Sequence, residues 1–466
     1  MEQEKPRIES IVVFANSQGE TGRGTLIHIT RRLIVFEIYN PYSLVQLSEV
    51  LNNVKVMRGE RVIYNGRAVV SNFVNTGLMA IVSVTLVDGW ADLAGLHPGE
   101  GLREETSHFV TEWEASYDIE PNYQLIVNRI GSFLGEFSRW LNQSETAVLG
   151  EDKEQNPRLL TEFRDEVQEP IKPAVSEMFE QFEDAAGDID QEKVSVHKSF
   201  AQRILHPFIL CSPFVHRTYT KPLGYAGDYE MVNMMLYESQ DHGANAYAQI
   251  VNTAFIVTQA PEAHRNRIDM LIDRIRKETI RATEEERVLK VLNVGCGPAV
   301  EIQRFIRNEE LADFVELDLM DFNDETISYT RGKIDKACTD ASRKPSITIH
   351  HKSIHDLLKE AHDQSESFQP GSFDYVYCAG LFDYFSDTIC KTLVKLFYNW
   401  TTSGGLVTVT NVHSGHSVKS LMEHLLDWYL VCRNEKDMER LAPADTKFEV
   451  EADTTGANLF LDIRKR

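Results

Sequence analysis

The sequence predicts an α/β protein in three parts: a small N-terminal β-barrel over residues 1–100, a helical segment over 101–285, and a doubly wound, Rossmann-like sheet over 286–466. Three observations support this. The first hundred residues alternate β-branched residues between glycine-containing turn signals, apolar residues recur every three or four positions from about Leu102, and strand-like and helix-like runs alternate throughout 288–412. A length of 466 residues, at roughly 150 per domain, accommodates three such parts without disulfides or metal.

In the first part the strand-like runs are Ile11-Val12-Val13-Phe14, Leu33 to Ile38, Ala68-Val69-Val70 and Met79 to Val84. Turn signals fall at Gly22-Arg23-Gly24, Arg58-Gly59-Glu60 and Tyr64-Asn65-Gly66. In the second part Tyr123, Val127, Ile130, Leu134, Phe137 and Leu141 form one amphipathic stripe, and Phe163, Val167, Ile171, Val175, Met178 and Phe182 form another. These read as a helical cap with a solvated outer surface, and one stripe also suits a homodimer interface.

Charge locates that surface. Lys and Arg number 48 against 71 Asp and Glu, a net charge of −23. Residues 101–200 hold 9 basic and 22 acidic residues, which supplies −13 of the total. Such acidity excludes a protein whose main business is gripping nucleic-acid phosphates. No apolar run approaches the ~20 residues that span a bilayer, and Met1 to Glu9 is charged, so neither a membrane span nor a standard secretion signal is expected. Six cysteines sit singly with no Cys-x-x-Cys, which argues against a zinc site or a disulfide framework and for a reducing cytoplasm. His350-His351 and His413-x-x-His416 lack the Cys or acidic partners of a metal site, so no metal is expected.

The third part opens with Val288 to Val294, an apolar strand that runs into Gly295-Cys296-Gly297-Pro298-Ala299 and then a helix from Glu301. A strand ending in Gly-x-Gly and opening a helix is the first unit of a doubly wound sheet, and glycines there let a ligand approach the backbone. A second strand, Phe314 to Asn323, places Asp321 24 residues beyond Gly297, where a strand-end carboxylate can accept both hydroxyls of a ribose; Asp318 is the fallback. Ile347 to His351 leads to Ser353-Ile354, the place of adenine contacts in such sheets. Phe373 to Gly380, carrying Ala379, is followed by a helix over 387–400, and Ser403-Gly404-Gly405 turns into Leu406 to Val412.

Asn-Val-Gly-Cys-Gly-Pro, the strand-end Asp321, Ser-Phe-Asp-Tyr-Val and Ser-Gly-Gly together resemble class I S-adenosylmethionine-dependent methyltransferases. A nicotinamide enzyme usually shows Gly-x-Gly-x-x-Gly, and the third glycine is absent here. The resemblance implies S-adenosylmethionine as cofactor, with Gly295, Gly297, Asp321, Ser353, Ile354 and Ala379 as binding residues. Asn293 stands where an acidic residue is often found, so a carboxylate for the donor's amino group must come from elsewhere, with Asp228 as the candidate. Over roughly 200–440, Lys221-Pro222-Leu223-Gly224-Tyr225-Ala226-Gly227-Asp228 and Asp427-Trp428-Tyr429-Leu430-Val431-Cys432-Arg433 resemble the bacterial 3-hydroxypalmitic acid methyl ester biosynthesis family. That resemblance implies methylation of a fatty-acid carboxylate to a quorum-sensing ester.

An ionised carboxylate needs no general base, only an oxygen held in line with the sulfonium methyl and partly stripped of water. Arg217, Lys221 or Arg433 would position such an anion, with His413 and Tyr225 as hydrogen-bond partners, and Tyr219, Phe382, Tyr384 and Trp428 would wall the site. A hydroxyl acceptor would instead need a base, with His413 the first candidate. Another small carboxylic acid or a hydroxyl is the alternative acceptor. The strand rhythm of residues 1–100 resembles PilZ domains, but Arg-x-x-x-Arg and Asp/Asn-x-Ser-x-x-Gly are absent. A non-enzymatic PilZ-like nucleotide receptor with a degenerate methyltransferase fold is the alternative of another class.

Overall fold

The computed structural model describes residues 10–30, 32–38, 45–58, 61–75, 80–88, 107, 110–111, 114, 118–149, 157–190, 193–236, 242–363 and 368–466. The chain divides into two compact, interleaved units instead of three consecutive segments: residues 1–226, 240–255 and 417–429 form the first, and 227–239, 256–416 and 430–466 the second.

The first unit begins with six strands, β1 (Ser10–Ala15), β2 (Thr21–Ile29), β3 (Leu33–Ile38), β4 (Val50–Arg58), β5 (Arg61–Asn75) and β6 (Ala80–Leu86). They close into an antiparallel barrel of order β1-β2-β3-β6-β5-β4. Alternate residues point inward, so Val12, Phe14, Ile34, Phe36, Val54, Val56, Val82 and Val84 fill the barrel. Two expected turns are in fact strand. Gly22 and Gly24 pair with Phe14 and Val12 inside β2, and Gly66 lies inside β5. A Cβ on Gly22 would lie 2.3 Å from Phe14 Cζ, and one on Gly24 would lie 2.5 Å from the Glu37 carbonyl oxygen, so these glycines make room for neighbours instead of reversing the chain. Of the third expected turn, Gly59 and Glu60 lie outside the described residues.

Helices α1 (Pro121–Leu149), α2 (Pro157–Gly187), α3 (Val194–Ile209), α4 (Pro213–Thr220), α6 (Ala246–Ile256) and α12 (Lys419–Leu425) complete this unit; α6 ends one residue beyond it. The apolar stripes face inward as the helical period requires: Tyr123, Val127 and Leu141 of α1 and Phe182 of α2 are fully buried. Among the described residues no helix is long and apolar enough to cross a membrane.

The second unit is built on a seven-stranded sheet. Its strands are β7 (Leu289–Val294), β8 (Val315–Asp321), β9 (Ser346–His351), β10 (Phe373–Cys378), β11 (Thr401–Val412), β12 (Lys447–Ala452) and β13 (Asn458–Arg464), in the order β12-β13-β11-β10-β7-β8-β9. The five strands β9-β8-β7-β10-β11 are parallel to their neighbours, while β13 runs antiparallel to both β11 and β12. The closing antiparallel pair lies beyond Val412, the end of the last strand that the sequence pattern predicts.

Helices cover both faces. Helices α7 (Gln259–Glu284), α8 (Val300–Asn308) and α9 (Asp324–Ala341) pack on Val291, Tyr375 and Tyr377. Helices α10 (Ile354–Asp363), α11 (Asp387–Trp400) and α13 (Glu435–Glu439) pack on Leu292, Val376 and Cys378. Neighbouring residues of one strand thus feed opposite cores, which explains why β10 is buried at every position. Strand order reverses between β7 and β10, and in open sheets that crevice at the carboxyl ends of the strands is where ligands bind.

Candidate functional site

The carboxyl edge of the second unit collects six of the residues expected to bind a cofactor. After β7 the chain turns through Gly295 and Gly297, at φ 70° and 51°. The amides of Gly295 and Cys296 donate to the Met320 carbonyl at 2.8 and 2.9 Å, tying the loop to β8. A Cβ on Gly295 would lie 2.2 Å from Leu381 Cδ1, so this glycine lets the loop after β10 close in, whereas a Cβ on Gly297 would meet nothing within 4 Å. Open space therefore lies against the backbone at Gly297.

Asp321 stands beside that space. Its Oδ2 accepts the Gly297 amide at 3.0 Å and its Oδ1 the Asn323 amide at 3.1 Å. Burial pushes this carboxyl up from its ordinary value, opposed by those amides. Asp318 is engaged differently, since it lies within β8 and pairs with His350 Nε2 at 2.5 Å. At the end of β9, Ser353 donates its amide and hydroxyl to Asp356 Oδ2 at 2.9 and 2.7 Å and starts α10, with Ile354 packed on the core. Ala379 follows β10, and the next amide, of Gly380, donates to Thr410 Oγ1 at 3.1 Å.

Several expected roles are corrected. Asp228 is the N-cap of α5 (Tyr229–Met234), its Oδ1 accepting the amides of Glu230 and Met231 at 3.1 and 2.8 Å. Arg433, expected to position an anion, is 2% exposed. Its Nε and Nη2 donate to Asp387 Oδ1, Nη2 also to the Phe385 carbonyl, and Nη1 to the Phe382 carbonyl and Asn411 Oδ1. All five N–H donors are thereby engaged, so this guanidinium ties the loop after β10 to β11. His413 bridges to Arg433, and its Nδ1 accepts the Gly415 amide at 3.0 Å. The remaining nitrogen, Nε2, then carries the hydrogen, 3.6 Å from Glu435, so the ring offers no vacant basic nitrogen. Phe382 is fully buried core.

Arg217, Lys221 and Tyr225 belong to the first unit. Arg217 and Tyr225 are half-buried, Arg217 in the last turn of α4. Lys221 is corrected: its ammonium is buried and donates to the Leu426 carbonyl at 3.1 Å. Asp427 pairs with Lys198 at 2.6 Å, and Lys198 also donates to the Tyr429 hydroxyl at 2.8 Å and to Thr85 at 3.2 Å. Burial and the nearby Lys198 pull Lys221 down to about 8, against the attraction of Asp427. The two sequence signatures around Lys221 and Asp427 thus meet in one buried charge cluster.

The same unit contains a small cleft among α1, α2, α3, α6 and α12, lined by apolar residues that include Phe133, Phe137, Phe179, Phe182, Val251 and Leu421.

Sequence reasoning missed a second group on the carboxyl edge of the sheet. Asn293 Nδ2 and the Tyr377 hydroxyl both donate to Glu301 Oε1, at 3.0 and 2.8 Å. Burial raises the Glu301 carboxyl. Arg267 of α7 passes close to Gly380, where a Cβ would lie 3.0 Å from its Nη1, and its Nη2 donates to His264 Nδ1 at 2.8 Å. A glutamate four residues beyond Gly297, beside the neutral Asn293, was the available signal for Glu301. Nothing in the sequence singled out Arg267. Among the described residues no group of three or more His, Cys, Asp or Glu could hold a metal ion.

No family model matches the chain, and no curated protein matches it. Solved structures do resemble it. A possible exported protein from Bordetella parapertussis is 16% identical, the match covering 54% of this chain and 86% of that one with a TM-score of 0.39. Magnesium protoporphyrin IX methyltransferase from Synechocystis PCC 6803 is 10% identical over 45% of this chain and 88% of that one, with a TM-score of 0.31. The S-adenosylmethionine-dependent methyltransferase SibL is 14% identical over 57% and 73%, with a TM-score of 0.33. The strand order and the antiparallel β13 describe an open α/β fold with a mixed sheet, joined in the same chain to a closed six-stranded antiparallel barrel.

Proposed function

We propose that this protein is an S-adenosylmethionine-dependent methyltransferase that esterifies the carboxylate of a fatty acid such as a 3-hydroxy fatty acid. The observation that carries the donor half is the contact of Asp321 with the Gly297 amide, at a strand-order reversal and beside open space. A glycine loop that admits a ligand to the backbone, next to a strand-end carboxylate able to accept ribose hydroxyls, fits an adenosyl group. The bound donor supplies an electrophilic methyl on a sulfonium. Gly297 supplies close approach, Asp321 orients the ribose, and the Ser353–Ile354 turn lies at the end of the neighbouring β9.

The acceptor oxygen is already an anion at neutral pH. It forms the new O–CH₃ bond as the C–S bond breaks, the electron pair stays on sulfur, and no proton moves. This suits a protein whose His413 has no vacant basic nitrogen. The choice of a long-chain acid rests on the resemblance of the Lys221–Asp228 and Asp427–Arg433 signatures to the methyl ester biosynthesis family. All six cysteines are free thiols, in keeping with a cytoplasmic enzyme.

Incubation with methyl-labelled donor and a panel of fatty acids, short acids and alcohols, with products identified by mass, tests the reading. Methyl esters of long-chain acids are expected. Label entering only hydroxyl compounds would overturn the ester assignment, and absence of any calorimetric heat with S-adenosylhomocysteine would overturn the enzyme reading, with heat from cyclic di-GMP the mark of a nucleotide receptor.

A further inference from the structure

On the carboxyl edge of the sheet, Arg267 lies within the electrostatic reach of two buried carboxylates and forms no ion pair with either among the described residues. Its guanidinium feels the fields of Asp383 and Glu301, yet its one hydrogen bond among the described residues is to the neutral ring of His264. Glu301 is 8% exposed and Asp383 3% exposed. Glu301 uses Oε1 for Asn293 and Tyr377, and Asp383 uses Oδ1 for the Val412 amide at 2.6 Å. His264, 7% exposed, accepts from Arg267 at Nδ1, so its Nε2 carries the hydrogen, and that buried nitrogen has no acceptor among the described residues. A buried donor without an acceptor is costly to hold, and beside it stands a half-buried guanidinium with no carboxylate partner; together they point to a ligand that completes them.

The chemistry of that ligand follows from the charges. A plain carboxylate would meet one cation and the fields of two carboxylates, and a plain cation would meet the guanidinium. A group that carries both signs a short distance apart satisfies both sides: carboxylate toward Arg267, ammonium toward Glu301. The cluster adjoins the Gly-x-Gly loop, since Glu301 lies in the first turn after it, Leu381 packs on Gly295, and Gly380 leaves room for the guanidinium.

We infer that Arg267 and Glu301 hold the amino-acid end of the methyl donor, the guanidinium binding its α-carboxylate and the glutamate its α-ammonium. This rests on the donor-binding reading above and replaces Asp228 with Glu301. His264 is a positioning residue that fixes the guanidinium.

The test is calorimetric titration of the full chain with S-adenosylhomocysteine and with 5′-methylthioadenosine, the same thioether nucleoside without the amino-acid end. In the wild type, S-adenosylhomocysteine should bind much more tightly. Arg267→Met should weaken S-adenosylhomocysteine about 10- to 100-fold, the range of a charged hydrogen-bonded contact, and Glu301→Gln about tenfold, with methylthioadenosine unchanged in both. Unchanged methylthioadenosine binding also reports an intact fold. Equal weakening of both nucleosides would show that Arg267 merely props the loop, and unchanged S-adenosylhomocysteine binding would remove the assignment. A loss confined to hexadecanoate would transfer Arg267 to the acceptor and overturn it as well. If the wild type binds neither nucleoside, the donor reading itself fails; if it binds both and the variants preserve the difference, only this inference fails.

Discussion

Gly297 and Asp321 lie 24 residues apart in the chain and 3.0 Å apart in space, backbone N–H to carboxylate oxygen. The same carboxylate takes the Asn323 amide, so it braces the loop from one side and the start of α9 from the other. In the proposed enzyme, Asp321→Ala removes both the brace and the ribose acceptor. Binding of S-adenosylhomocysteine is expected to weaken about 10- to 100-fold, as for loss of a charge-assisted hydrogen bond, measured by calorimetry. Affinity within twofold of wild type would place the nucleoside elsewhere.

Arg433 gives a different expectation. With its guanidinium buried and its five donors paired, Arg433→Met leaves two backbone carbonyls and Asn411 without their donor. A loss of about 3–5 kcal/mol in urea unfolding is expected, with donor affinity of the folded protein little changed. Stability like that of the wild type, with acceptor binding lost, would restore Arg433 as an anion-binding residue.

His424 sets an acid limit on stability. Its Nδ1 shares a 2.8 Å hydrogen bond with the Tyr123 hydroxyl, and burial, Lys198 and His197 hold the ring down to about 3. The unfolded chain takes up that proton near pH 6.5, the folded chain only near 3. Between those values the unfolded state binds more protons, so stability falls as pH falls, by up to about 1.4 kcal/mol per unit from this residue. His424→Met should flatten the dependence between pH 6.5 and 4, read from urea midpoints at successive pH values. Parallel curves for the two proteins would assign the acid sensitivity to other groups.

Local pattern carried much of the fold. The apolar run into Gly295 and Gly297, the four strands after it and the helix over 387–400 depend on neighbours in sequence, and β7 to β11 and α11 lie at those places. Glycines whose cause is distant in the chain are not explained by local pattern. Gly22 and Gly24 look like a turn because glycine is common in turns, yet Phe14 and Glu37 across the barrel require them. Asp318 and Asp321 are both eligible in sequence, three residues apart, and in the register of β8 against β9 Asp318 stands opposite Thr348, from where its carboxylate reaches the His350 ring two residues on.

The sequence by itself determined the alternation of strand and helix, the glycine loop and the strand-end carboxylate, because each rests on periodicity or on spacing within one supersecondary unit. Tertiary structure alone decided what the charged side chains do. Arg433, Lys221 and Asp228 looked like ligand-binding groups and serve as internal braces, while Glu301 and Arg267 drew little notice and sit with incomplete partners on the carboxyl edge of the sheet. The physical reason is that a charge acquires its role from burial and from the groups it meets, and those groups come from elements up to 205 residues away, as with Lys221 and the Leu426 carbonyl.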